Sequence, residues 1–142
     1  MTFAISSSTI GFGSITSAAV RYATLDTNGS ATEPTAGNPA SVSVSTNASS
    51  GVIVEIRDLN ATSGSGLYSA NASRTLTSTA STGVTAGTEK FGVYGKNASN
   101  LTLDAKFDNN TTGDAAISST FQTIASAAAP VTGSFDISAI AV

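Results

Sequence analysis

The sequence predicts an all-β protein: a β-sandwich or jelly roll of about eight or more short, mainly antiparallel strands, with an extended N-terminal strand and at most one short helix. Apolar residues alternate with polar ones over many short segments, which is the period of a strand with one buried face. Ser, Thr, Asn and Gly fill the segments between them and favour turns over long helices. Charged residues make up 11% and hydrophobic residues 40%, a composition that suits one folded domain rather than a disordered chain.

The chain opens with two short apolar pairs of strand period. Phe3 and Ile5 form the first pair, and Ile10 and Phe12 form the second. The apolar parity changes across the three serines between the pairs. Because one flat strand keeps its parity, we expect two strand pieces joined by a bend or a bulge.

Further strands are predicted along the rest of the chain. Residues 18–24 predict a second strand. Apolar and polar residues alternate over residues 133–142, which predicts the final strand. Weak signals near residues 67–68 and 76 suggest edge strands with a small buried face. Two polar turns that contain Asn-Ala-Ser, residues 47–51 and 97–100, separate stronger strands. We therefore predict two β-hairpins, one joining residues 42–45 to 52–57 and the other joining residues 89–96 to 101–107.

Residues 116–129 allow two interpretations. Ile117, Phe121 and Ile124 have the i, i+4, i+7 spacing of a helical stripe, and Pro130 would end such a helix. The alternative is a strand around Phe121 followed by a loop. The sequence does not decide between them.

The composition argues against several classes of function. The net charge is −3 and the six Lys and Arg residues are scattered, so no basic patch is available to follow a phosphate backbone. The chain has no His and no Cys, which are the commonest general base and the best nucleophile. No apolar run is long enough to span a bilayer. We therefore expect neither an enzyme nor a cofactor, and neither a nucleic-acid partner nor a membrane span.

Acidic and amide side chains suggest two further kinds of site. Glu33, Glu55 and Glu89 would make a catalytic carboxylate pair only if two of them converged, and nothing in their spacing brings them together. Residues 26–30 and 104–114 are rich in the oxygen ligands that calcium prefers. Neither run has EF-hand spacing, and Asx-rich turns commonly end strands. We expect ordinary turns rather than a metal site.

The asparagines carry a stronger signal. Eight of the nine begin an Asn-x-Ser/Thr sequon, and the ninth, Asn38, is followed by Pro39. Either the sequons are acceptors for N-linked glycans on a secreted protein, or Asn-Ala-Ser is a turn tripeptide that this fold favours. The candidate glycosylation sites are Asn28, Asn47, Asn60, Asn71, Asn97, Asn100, Asn109 and Asn110.

Several segments carry a resemblance to known proteins: STIGFGSITSAAVRYAT at residues 8–24, TNASSG at 46–51, GTEKFGV at 87–93 and APVTGSFDISAIAV at 129–142. They resemble secreted β-sandwich surface proteins of Patescibacteria-type bacteria, which implies no particular activity. The last segment is also similar to pilin-like sandwiches of the spore-coat U type. In architecture the chain is similar to camelysin and TasA-like fibre subunits and to archaeal threads and bundling pili. Together these resemblances imply polymerisation by donor-strand complementation, in which each subunit lends its N-terminal strand to the next.

The start of the chain is the candidate assembly site. A sandwich that lacks a strand exposes unpaired backbone groups and an apolar groove, and an incoming strand satisfies both. Phe3 and Ile5 would fill the groove, and residues 6–8 would be the hinge. The alternative is that these residues form the first strand of their own sandwich. The donor strand would consist of Thr2, Phe3, Ala4, Ile5 and Ser6.

The chain thus divides into an N-terminal assembly strand, residues 1–8, and one β-sandwich domain, residues 9–142. We expect a structural subunit of an extracellular, cell-surface filament that polymerises with copies of itself and carries covalent glycans. Strand-like sequence begins directly after Met1, so we expect the numbering to start near a mature end. The alternative is a monomeric secreted adhesin or carbohydrate-binding module, against which the absence of Trp and the small number of Tyr argue.

Overall fold

A computed structural model describes residues 1–34, 40–59, 66–69, 72–79, 83–108 and 116–142. Within these ranges the chain forms ten β-strands and no α-helix, which confirms the predicted all-β class. The strands are β1 (Thr2–Ile5), β2 (Arg21–Tyr22), β3 (Ala40–Thr46), β4 (Val52–Ile56), β5 (Gly66–Ser69), β6 (Arg74–Ser78), β7 (Lys90–Ser99), β8 (Thr102–Leu103), β9 (Gln122–Ala127) and β10 (Val131–Ala141).

The strands form two sheets that pack face to face. The large sheet has the order β1-β3-β10-β7-β6-β5, with β2 paired to the end of β10, and the small sheet has the order β4-β9-β8. The pairs of named strands are antiparallel except β6 with β7, which is parallel. The predicted final strand therefore exists as β10, at the centre of the large sheet. The weak signals near residues 67 and 76 correspond to β5 and β6 at its edge.

The hydrophobic core has three parts. One cluster joins β3 and β10 to β4 and β9, with Val42 and Phe135 facing Val54 and Ile124. A second cluster lies further along the same face of the large sheet, around Phe91 and Ala139. Because successive strand residues point to opposite faces, Ile140 belongs to a third cluster on the outer face of the large sheet, together with Tyr94 and Val142.

The predicted hairpin of β3 with β4 is wrong, although both strands exist. β3 pairs with β1 and β10, whereas β4 pairs with β9 in the other sheet. Residues 47–51 therefore cross from one sheet to the other. Val42 and Val54 enter the same core from opposite sheets, so the alternating pattern of each strand is satisfied without a hairpin. Alternation shows which side chains are buried, but it does not identify the neighbouring strand.

The second predicted hairpin is wrong for the same reason. β7 pairs with β10 and β6, and β8 pairs with β9 in the small sheet. β8 is also shorter than predicted, and Phe107 is buried in a turn rather than in a strand. The crossings β3–β4, β7–β8 and β9–β10 meet at one end of the sandwich, where Thr46 pairs with Val131 and Val52 with Ala127. We call this the crossing end.

Residues 116–129 contain β9 and no helix. The helical interpretation fails because its three apolar residues do not share a face. Ile117 is buried in the second cluster and Ile124 in the first, while the Phe121 side chain is 59% exposed. The strand interpretation is closer, although β9 begins one residue after Phe121. In the described part of the chain, no helix has the length and apolar character needed to cross a membrane.

Candidate assembly site

β1 lies at one edge of the large sheet of its own chain. It pairs with β3, placing Phe3 opposite Val44 and Ile5 opposite Val42. The pairing extends to Ser6, whose amide donates to the Ser41 carbonyl oxygen at 2.8 Å and whose Oγ accepts from the Ser41 amide at 2.8 Å. In a single chain, residues 2–6 therefore form the first strand of their own sandwich, which is the alternative to donation stated above.

The side chains of β1 extend the core face of the large sheet. Directly opposite residues of an antiparallel pair point to the same face, so Phe3 and Ile5 share the face of Val44 and Val42. Val44 is 3% exposed and Val42 is 1% exposed, whereas Phe3 is 51% exposed and Ile5 is 50% exposed. The small sheet thus covers β3 but leaves β1 largely uncovered.

An apolar groove runs between β1 and β4. It has a volume of about 380 Å³ and includes residues of both sheets. Leu59 and Phe121, which follow β4 and precede β9, are 77% and 59% exposed at this groove. The Arg57 guanidinium lies 4.4 Å from the centre of the Phe121 ring. We define the edge groove by Phe3, Ile5, Ile56, Leu59 and Phe121.

β4 contributes an open strand edge beside the groove. It pairs with β9 on one side, and among the described residues no strand pairs with its other side. Ile53 on its outward face is 67% exposed. An edge strand with unpaired backbone groups and apolar surroundings is a site to which another strand can add. Leu59 and Phe121 were not predicted as site residues from the sequence. The local signal for Leu59 is that it continues the alternating exposed positions of Ile53 and Arg57.

The second apolar pair of the N-terminal segment packs against the core of its own chain. Ile10 and Phe12 pack against the cluster around Phe91. The backbone of Gly11 exchanges hydrogen bonds with Thr24, at 3.0 and 2.8 Å. The chain is therefore anchored from Gly11 onward, in contrast to the exposed strand that precedes it.

A short turn joins the exposed strand to the anchored segment. The Ser7 Oγ donates to the Thr9 carbonyl oxygen at 2.8 Å and accepts from the Thr9 amide at 3.2 Å. These bonds are local to the turn, and residues 7–9 belong to no strand. The predicted hinge at residues 6–8 thus overlaps this connection, although Ser6 itself is held by Ser41.

Four of the candidate glycosylation sites lie in the described part of the chain. Asn28, Asn47, Asn97 and Asn100 are exposed. The last three lie at or beside the crossing end, since Asn47 follows β3 and Asn100 follows β7. The remaining four candidates fall outside the described residues: Asn60, Asn71, Asn109 and Asn110.

The three glutamates considered as catalytic acids have separate environments. Glu33 accepts a hydrogen bond from the Tyr94 hydroxyl at 2.8 Å and forms an ion pair with Lys96 at 3.1 Å. Glu89 pairs instead with Arg74 at 2.8 Å, and Glu55 lies on β4. The Glu33 contacts attach its segment to β7, and the three glutamates do not converge on one site.

The Asp-rich turns use their carboxylates to accept hydrogen bonds from the chain itself. Asp26 accepts from the Thr24 hydroxyl and from the amide and side chain of Asn28, and the bond from Thr24 is the main cause that lowers the pKa of Asp26. Asp104 accepts from the Lys106 amide at 3.0 Å. Over the described ranges, no group of three or more acidic, His or Cys side chains is placed to hold a metal ion.

Tyr94 anchors the outer face of the large sheet. Burial raises the pKa of its phenol, and the hydrogen bond to Glu33 raises that pKa further. Burial, and then the nearby Glu33 charge, also raise the pKa of Tyr22. Both phenols are therefore neutral at ordinary pH, and the Tyr94 hydroxyl acts as a donor that attaches Glu33 to the sheet.

Comparisons with protein-family models, with curated proteins and with solved structures find no match to this chain. Its function is therefore inferred from its own geometry. The arrangement that stands out is an exposed apolar strand, a short turn and an open apolar groove at one edge of a well-packed sandwich. Such an arrangement is suited to strand addition between molecules.

Proposed function

We propose that this chain is a non-enzymatic structural subunit of an extracellular filament, in which the N-terminal strand of one subunit joins the sandwich of the next. The observation that carries the proposal is that, among the described strands, β1 pairs on one side only and leaves Phe3 and Ile5 half exposed at the edge groove. The apolar face of an antiparallel sheet commonly packs on the core, whereas here the small sheet leaves the apolar face of β1 largely uncovered.

Exchange of β1 between subunits keeps its native contacts. In the exchanged form, Phe3 of one subunit lies opposite Val44 of the next, in the register that a single chain uses. Only the turn at residues 7–9 must open. Ser6 and Gly11 are both held by hydrogen bonds, so residues 7–10 span the boundary, and fully extended they bridge about 17 Å between neighbours in close contact. Head-to-tail exchange of this kind produces a filament when the rotation between neighbours does not close a ring.

The edge groove supplies a reason for the filament to be favoured over the closed monomer. Exchange alone gains little free energy because the same ladder forms in both states. At a subunit boundary, however, Leu59 and Phe121 would be covered by the neighbour. Burying an exposed apolar side chain contributes about 1.5–3 kcal/mol when burial is complete. The new contacts therefore come from the groove rather than from the ladder.

The extracellular location and the covalent glycans belong to the same proposal. They are supported by the density of sequons and by a charge-poor chain rich in Ser and Thr. The alternative of a carbohydrate-binding module has less support, because Tyr94 is buried in the third core cluster and Tyr22 packs against it. Of the tyrosines, Tyr68 alone is largely exposed, at 54%. One exposed ring is a poor sugar platform.

A cysteine pair tests the exchange directly. Ala4 lies opposite Ser43 in the ladder of β1 with β3, and facing residues of an antiparallel pair have Cα atoms about 4.5–5.5 Å apart, close enough for a disulfide. The natural chain has no cysteine, so the two introduced residues are the only thiols. We expect the A4C/S43C variant, oxidised after assembly, to run as covalent multimers on a non-reducing gel. A4C alone is the control.

Two results would contradict the proposal. One is that oxidised A4C/S43C gives only an internal disulfide in material that forms filaments, since β1 would then stay in its own subunit. The other is that a variant lacking residues 2–8 still forms filaments in electron micrographs. We expect that deletion variant to remain folded and monomeric, because the buried clusters include no residue of this segment.

A further inference from the structure

The four described sequons differ in what their asparagine amides do. In Asn97 the Nδ2 atom donates to the Asp136 carboxylate at 2.9 Å. In Asn100 it donates to the Thr132 carbonyl oxygen at 3.0 Å, and in Asn28 to the Asp26 carboxylate at 3.2 Å. Within the described residues, the Asn47 side chain forms no hydrogen bond. Asn47 is thus the described sequon whose amide nitrogen is free.

Asn97 and Asn100 also have backbone roles. Both adopt a left-handed conformation, with φ of 52° and 59°, which asparagine tolerates better than most residues. Asn97 lies where the register of β7 on β10 shifts, because two residues of β7 face one residue of β10. An extra residue with positive φ is the geometry of a β-bulge. The backbone conformation therefore accounts for an asparagine at both positions, and no glycan is needed to explain it.

The segment around Asn47 has a different form. Its sequon runs from the end of β3 into a turn closed by a hydrogen bond from the Gly51 amide to the Ala48 carbonyl oxygen at 2.9 Å. Ser49, the hydroxyl residue of the sequon, lies inside this turn and is exposed. Nothing in the turn requires an asparagine at position 47, whose side chain projects without a partner. The acceptor amide and the sequon hydroxyl are therefore both accessible.

From these differences we propose that Asn47 is the N-glycan acceptor at the crossing end of the folded protein, and that Asn97 and Asn100 are structural asparagines. In the transfer, Asn47 Nδ2 forms a bond to the anomeric carbon of a lipid-diphosphate-linked oligosaccharide. The bond from that carbon to the diphosphate oxygen breaks, the lipid diphosphate leaves with the electron pair, and one amide proton passes to a base of the transferase. This inference rests on the proposed extracellular location, but not on strand exchange.

The experiment treats the folded full chain with an oligosaccharyltransferase and its lipid-diphosphate-linked oligosaccharide. The enzyme is chosen because it modifies synthetic peptides spanning residues 44–52 and 94–105. Site-resolved mass spectrometry then measures occupancy at each asparagine. We expect occupancy at Asn47 to exceed that at Asn97 or Asn100 by at least tenfold. S49A should abolish the Asn47 product, while S99A and T102A, which remove the other two sequons and keep their asparagines, should leave it unchanged.

Two outcomes would overturn the inference: equal or greater occupancy at Asn97 or Asn100 in the folded chain, or an unmodified Asn47 in the folded chain. The measurement is made on monomer verified by light scattering. A failure of glycan transfer is therefore distinct from a failure of strand exchange, which is scored by the covalent multimers of A4C/S43C.

Discussion

The strands β1 and β10 have the same kind of sequence and opposite positions. Each alternates apolar and polar residues, and each points its apolar residues at the same face of the large sheet. β10 lies between β3 and β7, and its Phe135 is 1% exposed. In the part of the chain that the structure describes, β3 is the one strand that pairs with β1, and Phe3 is 51% exposed. The difference lies in the number of neighbours, not in the pattern. A central strand holds its own fold together, while an edge strand is available to another molecule.

The largest expected effect lies in the central strand. Phe135 is buried in the cluster that joins the two sheets. Replacing a buried Phe by Ala removes its transfer free energy and leaves a cavity, at a cost of about 3–5 kcal/mol. We therefore expect Phe135→Ala to lower the free energy of unfolding by about that amount, measured by urea unfolding followed by circular dichroism. A loss below about 1 kcal/mol would show that β10 is not the structural centre of the sandwich.

Tyr94, which lies opposite Ser138 of β10, gives a smaller and pH-dependent effect. The phenol has a raised pKa in the folded protein, so the folded state favours its protonated form. Its contribution is complete below pH 10, the ordinary pKa of tyrosine, and is lost as the pH rises above it. At neutral pH we expect Tyr94→Phe to cost about 1.5–3 kcal/mol, because a hydrogen bond to a charged group is lost.

The measurement is the free energy of unfolding of wild type and Tyr94→Phe from pH 7 to pH 12. Wild type should lose stability above pH 10 more steeply than the variant, so that the difference between them narrows. Parallel curves would mean that Tyr94 titrates alike in the folded and unfolded states. The variant controls for Tyr22 and for every other titrating group, since all of these are present in both proteins.

The sequence predicted the strands far better than their partners. Alternation in residues 42–45 and 52–57 correctly marked both segments as strands, because burial of one face follows from local pattern. It could not show that β3 and β4 belong to different sheets, since Val42 and Val54 fill one core from either side. The spacing of Ile117, Phe121 and Ile124 left a helix and a strand both open, because a helical period can arise by chance among residues with unrelated environments. Short connections were read as hairpin turns, but here they cross between sheets.

The candidate site was also predicted only in part, because a local sequence pattern does not identify the neighbours of a residue in space. The change of parity after Ile5 predicted two strand pieces joined by a bend or a bulge. The structure has β1 and then a turn at residues 7–9, after which Ile10 and Phe12 pack against a core cluster of the same chain without forming a named strand. The groove itself brings together residues that are far apart in sequence. The pairing of β4 with β9 brings Leu59 and Phe121 together, and the packing of the small sheet on the large sheet places both beside Phe3, which no local pattern encodes.

The smallest expected effect on the monomer lies in the edge strand. Phe3 is half exposed, so Phe3→Ala should cost the isolated subunit roughly 1 kcal/mol, about half of what full burial contributes. Val44→Ala, the change at the facing buried position, should cost more although it removes fewer atoms, because it leaves a cavity. If a neighbouring subunit buries Phe3 further at the edge groove, its loss should in addition raise the protein concentration needed for filament growth by fivefold or more, since about 1 kcal/mol corresponds to that factor. Sedimentation of polymer against total concentration measures this threshold.

Should Phe3→Ala destabilise the monomer as much as Val44→Ala and leave the threshold unchanged, β1 would be an ordinary core strand, and the contrast with β10 would carry no functional meaning.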